Sequence, residues 1–310
     1  MATIWITGGR GFIGRNLSKY LHSLGETVLG LGHGAWPKES ALAWGMSRWI
    51  NGEVSASNLN RLCQWSGLPD VVYHLAGGSA VGPSFDHPLE DFSRSVNTTA
   101  HLLEWLREEA SHVRIIAVSS AAVYGVGHNR PISEEVTPHP FSPYGYHKAI
   151  MELLCESYVK NFGLEVVVVR LFSVYGAGLE KQLLWDICRK LASGEKTLTL
   201  GGTGEEVRDW LHVSDASRML GLLRRINVAE KLVINGGTGI GTPIRKLAQT
   251  IIDAWNPDIR IAFDGRPRPG DPLSLIADTG RLDALGFKPL IPLGDGAREF
   301  VIWFQEHMVR

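Results

Sequence analysis

A doubly wound α/β fold, with a parallel sheet covered by helices on both faces and a smaller mixed C-terminal lobe, is the architecture this sequence predicts. Two observations carry it. From Thr3 to Phe172 short apolar runs alternate with amphipathic stretches of helical period, the pattern of repeated βαβ units. The first run enters its helix through a turn with glycines at 8, 11 and 14, which lets backbone N–H groups and a helix N-terminus face a phosphate. Past Ser173 the alternation is lost, which marks the second lobe. A chain of 310 residues accommodates one large domain, or one domain with a smaller lobe. We assign 1–172 to a dinucleotide-binding domain, with later contributions from about 208–235, and 173–310 mainly to the second lobe.

Taken in order, Ile4-Trp5-Ile6 suits a buried first strand, and Phe12–Leu24 a helix that stops at Gly25. Thr27–Leu31 reads as the second strand and Arg48–Asn51 as the third. Asp70–Gly77 is near-continuously apolar, as a parallel strand buried on both faces requires. His74 within that run is expected to be a hydrogen-bonded core histidine. Asn97–Ala110 is an amphipathic helix, Arg114–Val118 the next strand, and Ser119–Gly125 the loop at its end. Beyond a polar loop over 128–143, Tyr144–Asn161 carries apolar Ile150, Leu153, Leu154 and Tyr158 at helical spacing, and Leu164–Phe172 is a further buried strand.

In the second lobe Lys181–Ala192, Val213–Arg225, Ile244–Trp255 and Gly294–His307 read as helices. Thr197–Leu200 and Arg260–Phe263 are extended, and Leu232–Asn235 is expected to return to the main sheet. Arg266–Pro272 is too rich in proline to be regular.

Composition narrows the class. Apolar content of 44% and charged content of 20% are ordinary for a globular protein, and a net charge of -1 gives no electrostatic case for nucleic acid or an anionic membrane as partner. Cys63, Cys155 and Cys188 are few and widely spaced, so reduced thiols are expected rather than a disulfide framework or a metal site. The N-terminal residues form a core strand rather than a cleavable leader, and no apolar run approaches the roughly 20 residues that span a bilayer. A cytoplasmic protein without a membrane partner is the expectation.

The candidate chemistry lies in two stretches. A carboxylate at the end of the second strand of a dinucleotide fold holds the ribose 2′-hydroxyl of NAD. Here that end reads Gly30-Leu31-Gly32-His33-Gly34, with no acid, and Arg10 and His33 can both meet a 2′-phosphate, so NADP is favoured over NAD. Glu53 and Val54, after the third strand, are placed near the adenine. Further along, Tyr144 and Lys148 are four residues apart on one helix and share a face. An ammonium close to a phenol favours the phenolate and lowers its pKa from about 10, which suits proton transfer at a sugar hydroxyl. Ser120 can donate to the same substrate oxygen.

Together these motifs resemble the extended short-chain dehydrogenase/reductase family, in its nucleotide-sugar epimerase/dehydratase branch. The resemblance runs through Thr7-Gly8-Gly9-Arg10-Gly11-Phe12-Ile13-Gly14, His74-Leu75-Ala76-Gly77, Ser119–Gly125 and the Tyr144–Lys148 pair. It continues through Arg170–Gly176, Arg208–Asp215 and Arg268-Pro269-Gly270-Asp271. It implies a Rossmann-type fold, with Ser120, Tyr144 and Lys148 as the catalytic trio and the nicotinamide beside Tyr144. The implied cofactor contacts are Gly8, Arg10, Gly11, Phe12, Ile13 and Gly14 of the turn, with His33, Glu53, Val54, Leu75, Ala76, Gly77, Tyr144, Lys148 and Phe172. The second lobe is implied to bind a nucleoside-diphosphate sugar, with Ser79, Ser120, Ser173, Arg208, Arg268 and Asp271 as substrate contacts. Arginines suit a diphosphate because the guanidinium makes bidentate, charge-assisted hydrogen bonds. Ser173 stands where relatives often have an asparagine, and its hydroxyl has less reach. A homodimer through Asn97–Ala110 and Tyr144–Asn161 is also implied.

Departures from the family narrow the reaction. The 4,6-dehydratases carry an Asp-Glu pair directly after the catalytic Ser/Thr, and fucose-synthase-like enzymes a cysteine two residues after it. This chain has Ala121 and Ala122 there, which can neither give nor take a proton. Chemistry at one carbon remains: a 4-epimerase, with an NADPH-dependent 4-keto-sugar reductase as the alternative. A redox-inactive NADP-binding module is disfavoured by the intact trio.

Overall fold

The structure, a computed structural model, describes residues 1–194, 196–226, 232–266 and 272–308. The chain divides into two compact units, the first formed by Met1–Gly125, Glu134–Leu171 and Ala216–Asn235, the second by Val126–Ser133, Phe172–Asp215 and Gly236–Arg310.

The first unit opens with β1 (Thr3–Thr7), α1 (Phe12–Ser23), β2 (Thr27–Gly32), α2 (Lys38–Ala43), β3 (Met46–Asn51), α3 (Ala56–Ser66) and β4 (Val71–His74). It continues through α4 (Val81–Asp86), α5 (Pro88–Phe92), a π-helical turn at Ser93–Asn97, α6 (Thr98–Glu109), β5 (Arg114–Ser120), α7 (Pro143–Phe162) and β6 (Val166–Leu171). A later strand, numbered β10 in chain order (Leu232–Gly236), completes a seven-stranded sheet in the order β10-β6-β5-β4-β1-β2-β3. The pairings β1–β2, β2–β3, β1–β4, β4–β5 and β5–β6 are all parallel. This is the doubly wound sheet expected, with Leu232–Asn235 at its edge.

Because β2 and β3 lie on one side of β1 and β4–β6 on the other, strand order reverses between β1 and β4. In such sheets that switch point, at the carboxyl ends of the strands, is where a ligand crevice forms. Both the glycine turn after β1 and Leu75–Gly77 after β4 sit there.

Burial explains the strand sequences. β6 reads Val-Val-Val-Val-Arg-Leu and all six residues are buried, as are all four of β4. Trp5 and Trp105 meet at 5.5 Å in a core shared with Leu59, Leu102, Leu106 and Met151. Each such side chain contributes about 1.5–3 kcal/mol on burial. Tyr73 buries its ring and donates from its hydroxyl to the Leu220 carbonyl at 3.2 Å.

The second unit is built around β9 (Val207–His212), which pairs in parallel with β7 (Ser173–Tyr175) and β13 (Ser274–Leu275) and antiparallel with β11 (Gly241–Pro243). A separate parallel pair joins β8 (Thr197–Leu200) to β12 (Arg260–Phe263). Its helices include α8 (Gln182–Ala192), α10 (Ile244–Trp255), α11 (Gly280–Ala284) and α12 (Leu293–Met308), with α9 (Val213–Leu223) beginning here. Phe304 of α12 meets Trp185 of α8 at 5.0 Å and Trp255 of α10 at 5.9 Å, both edge-on. Among the described residues no helix is long and apolar enough to cross a membrane.

Candidate active site

The turn after β1 is shaped by what its glycines exclude. Gly8 has φ 71°, and a Cβ on it would lie 2.8 Å from the Ala76 nitrogen at the end of β4. A Cβ on Gly14 would lie 2.5 Å from the Gly8 carbonyl and 2.7 Å from the Gly9 Cα. Hence α1 starts directly against the turn, with Gly11 as an N-cap that offers no side chain to the first-turn N–H groups around Phe12, Ile13 and Gly14. An uncapped N-terminus beside a close-packed turn fits a dinucleotide pyrophosphate. Gly14→Ala is expected to force a shift costing about 1–3 kcal/mol, and so to weaken dinucleotide binding by about fivefold or more by calorimetry; unchanged affinity would separate the turn from the cofactor.

At the end of β2 the structure brings Arg10 against the His33-Gly34 loop, close enough that a Cβ on Gly34 would overlap the guanidinium. That loop is pinned from β3: Gly34 N–H donates to Asn51 at 2.8 Å, and Trp49 Nε1 donates to the Gly34 carbonyl at 3.0 Å. His33 is exposed. Val54 belongs to the core, while Glu53 beside it is exposed. Leu75 and Ala76 are tied to β1, their N–H groups donating to the Thr7 carbonyl at 3.1 Å and the Thr7 hydroxyl at 3.2 Å.

The trio comes together on β5 and α7. Ser142 caps α7 by accepting from Gly145 N–H at 3.1 Å, and Pro143 follows at the first helical position. From α4, Ser84 accepts from the Tyr144 N–H at 3.0 Å, which fixes the first turn. Ser120 hydrogen-bonds the Tyr144 phenol. Lys148 is buried, donates to the Val118 carbonyl at 2.9 Å, and lies 5.9 Å from the centre of the Tyr144 ring.

Electrostatics differ in one respect from the sequence expectation. Burial pushes the Tyr144 phenol up, and the group opposing that rise is Ser120 rather than Lys148. The reason is geometric, because the ammonium is directed to the β5 carbonyl and not to the phenol oxygen. Lys148 is pulled down to about 8, first by burial, against the raising influence of Asp91, Glu152 and Cys155. It remains charged at neutral pH, close to its titration.

His74 has both ring nitrogens occupied. Thr99 donates its hydroxyl proton to the Ser95 carbonyl at 2.7 Å, so it accepts from His74 Nε2 at 2.9 Å. Nδ1 then accepts from Thr7 at 2.8 Å. Burial and the Lys148 charge hold the imidazole neutral, down to about 3. It braces the sheet and exchanges no protons.

Sequence reasoning missed a second pair on this face. Asp91 of α5 and His147 of α7 meet at 2.6 Å, both largely buried. The Ser142-Pro143 cap could have been found from the sequence; the Asp91 contact had no local signal.

The remaining substrate candidates are distributed. Ser79 is exposed on the loop after β4 of the first unit. In the second unit Phe172 is buried and donates from its N–H to the Gly236 carbonyl at 3.0 Å, while Ser173 opens β7 opposite Trp210. Arg208 on β9 donates from Nη1 to the carbonyls of Val207 at 2.9 Å and Pro272 at 2.6 Å. Its neighbour Asp209 turns away, accepting from Thr238, Gly239 and Ala277 N–H groups. Arg268 and Asp271 lie outside the described residues. Among the described residues no cluster of side chains has metal-binding geometry.

A close-packed glycine turn at the switch point, with Ser120, Tyr144 and Lys148 brought together on the adjoining strand and helix, fits the class of nicotinamide-dependent enzymes. The chain belongs to the NAD dependent epimerase/dehydratase family, whose model matches residues 4–235. Among curated relatives it is 28% identical over 322 residues to the UDP-glucose 4-epimerase of Azospirillum brasilense, covering 97% of this chain and 91% of that protein. Among solved structures it resembles the UDP-glucose 4-epimerase of Thermotoga maritima with UDP-glucose, at 27% identity and a TM-score of 0.88 over 98% of this chain and 99% of that one. It also resembles the Thermus thermophilus UDP-glucose 4-epimerase in complex with NAD, at 25% identity and a TM-score of 0.87 over 99% and 100%.

Proposed function

We propose that this chain is a nucleotide-sugar 4-epimerase. The observation that carries this is the Ser120–Tyr144–Lys148 group with Ala121 and Ala122 in a short 3-10 turn directly after Ser120, which puts no acid, base or thiol for a second reaction at those two positions. The UDP-glucose 4-epimerases it resembles support the same choice.

Bound nicotinamide supplies the acceptor and donor for the hydrogen on C4. The chain's own residues handle the proton. Tyr144 Oη takes it from the C4 hydroxyl, and Ser120 Oγ holds that oxygen by a hydrogen bond, so the C4 oxygen has one donor and one base. Lys148 contributes a buried positive charge anchored at the Val118 carbonyl, while the Ser120 hydrogen bond opposes the burial that disfavours the phenolate. Once the sugar has presented its other face, Tyr144 returns the proton. Arg208, with Arg268, holds the diphosphate in this scheme, and Ser79, Ser173 and Asp271 contact the remainder.

The pH dependence follows from Lys148. As pH rises through about 8 the ammonium is lost, and with it the buried positive charge beside the Tyr144 ring, so turnover is expected to fall on the alkaline side near that value. Incubation with UDP-glucose or UDP-galactose, without added reductant, is expected to interconvert the two, with other nucleotide sugars tested beside them. A strict requirement for a keto sugar and stoichiometric NADPH would replace epimerase by reductase. Tight cofactor binding without turnover of any nucleotide sugar would reduce the protein to a binding module.

The choice of dinucleotide turns on Arg10. Its position against the His33-Gly34 loop, where no carboxylate stands, supports NADP, whereas the Thermus thermophilus neighbour is described with NAD. Separate calorimetric titrations are expected to give tighter NADP binding; tighter NAD binding removes Arg10 and His33 as a 2′-phosphate site. A homodimer through α6 and α7 belongs to the same reading, supported by exposed Leu153 and Phe162 on α7. Sedimentation as a monomer would remove it.

A further inference from the structure

We propose that Asp91, clamped between His147 and Gly78, is the counter-charge of Lys148 and a positioning residue for the Tyr144–Lys148 couple. The inference rests on the reading of Tyr144 as the proton-transfer group, and its geometry stands apart from that reading.

Asp91 is 7% exposed. One carboxylate oxygen accepts from His147 Nδ1 at 2.6 Å; an ionised carboxylate can only accept, so the imidazole donates. The other oxygen lies against Gly78, where any Cβ would overlap it. Gly78 is in turn fixed by its N–H, which donates to the Ser95 hydroxyl at 2.9 Å in the π-helical turn. Next to it, Gly77 faces Lys148: a Cβ there would stand 3.0 Å from Nζ. The His147 ring is held edge-on to Phe92 at 5.4 Å. So of two successive glycines after β4, Gly78 admits the carboxylate and Gly77 the ammonium. Both are buried, and a buried carboxylate without a charge partner is strongly unfavourable.

Other charged and titratable groups around Lys148 do not replace Asp91. They are His74 from β4, and Tyr144, Glu152 and Cys155 from α7. His74 is neutral, as shown above. Glu152 is committed to Arg170 at 2.7 Å and to Ser119 at 2.6 Å. Cys155 is a buried thiol. Asp91 heads the influences that keep Lys148 charged against burial, and its charge also reaches Tyr144. His147 thereby has a task that packing alone does not assign: it holds the carboxylate against Gly78, next to the glycine that faces Lys148.

The test follows the Lys148 side chain by NMR across pH in the full-length chain without ligand, assigned with a Lys148→Arg variant. Asp91→Asn is isosteric and is expected to move the Lys148 midpoint down by about 1 pH unit. His147→Phe, which keeps the contact with Phe92 and loses the donor, is expected to move it in the same direction by less. Where UDP-glucose is turned over, the alkaline limb of kcat should move by the same amount as the midpoint in each variant. An unmoved Lys148 midpoint in folded Asp91→Asn overturns the proposal; if that variant does not fold, an unmoved midpoint in His147→Phe overturns it. Failure of the wild-type chain to turn over UDP-glucose bears on the epimerase reading, and the NMR midpoint still decides this one.

Discussion

Tyr144→Phe is expected to lower turnover of nucleotide sugar by about 10²–10⁴-fold while leaving dinucleotide affinity unchanged. The substitution removes one atom. The ring keeps its place beside Lys148, whose ammonium is anchored to the Val118 carbonyl and not to the phenol. The helix keeps its Ser142 cap and the tether from Ser84, neither of which uses the Tyr144 side chain. What is lost is the acceptor for the C4 proton and the partner of the Ser120 hydroxyl. Steady-state rates with UDP-glucose, set beside calorimetric titration of the dinucleotide, check both halves. Retention of more than a few per cent of activity would require another base, and Ser120 is the only hydroxyl described at the phenol.

The same residues show how far sequence reasoning reached. Tyr144, Lys148 and Ser120 were legible because two of them sit at helical spacing and the third ends an apolar strand. The sheet was legible because βαβ units repeat, and even the late edge strand at Leu232–Gly236 stood out as an apolar run. Contacts that depend on the π-helical turn at Ser93–Asn97 were not legible. That turn sets the Ser95 hydroxyl against Gly78 and lies next to the helix that carries Asp91, and nothing in the order Phe92-Ser93-Arg94-Ser95 marks one extra residue per turn. Short pairings such as β7 with β9 and β13 with β9 were missed for another reason. Strands of two or three residues carry too little periodicity to separate from loop, and their partners are set by tertiary packing. The direction of Lys148 is of the same kind, because a four-residue spacing puts two side chains on one face without saying which acceptor the ammonium finds.

Arg170→Leu is expected to cost about 3–5 kcal/mol of stability, because it breaks a buried ion pair. Arg170 on β6 and Glu152 on α7 are 4% and 3% exposed. The guanidinium donates to Glu152 from Nη2 at 2.7 Å and Nε at 3.0 Å, and from Nη1 to the Tyr124 hydroxyl at 3.0 Å. Glu152 also accepts from Ser119, the residue before Ser120, at 2.6 Å. Leucine fills much of the volume and leaves a buried carboxylate whose remaining described donor, Ser119, is neutral. Urea unfolding of the variant at neutral pH should show this deficit from wild type as a lowered midpoint. Adding Glu152→Leu to Arg170→Leu removes the stranded charge and should recover part of the lost stability, since paired apolar replacements of a buried ion pair are often tolerated. A deficit that the double variant does not reduce would mean that Arg170 acts by packing and by its hold on Tyr124, not as the counter-charge of Glu152.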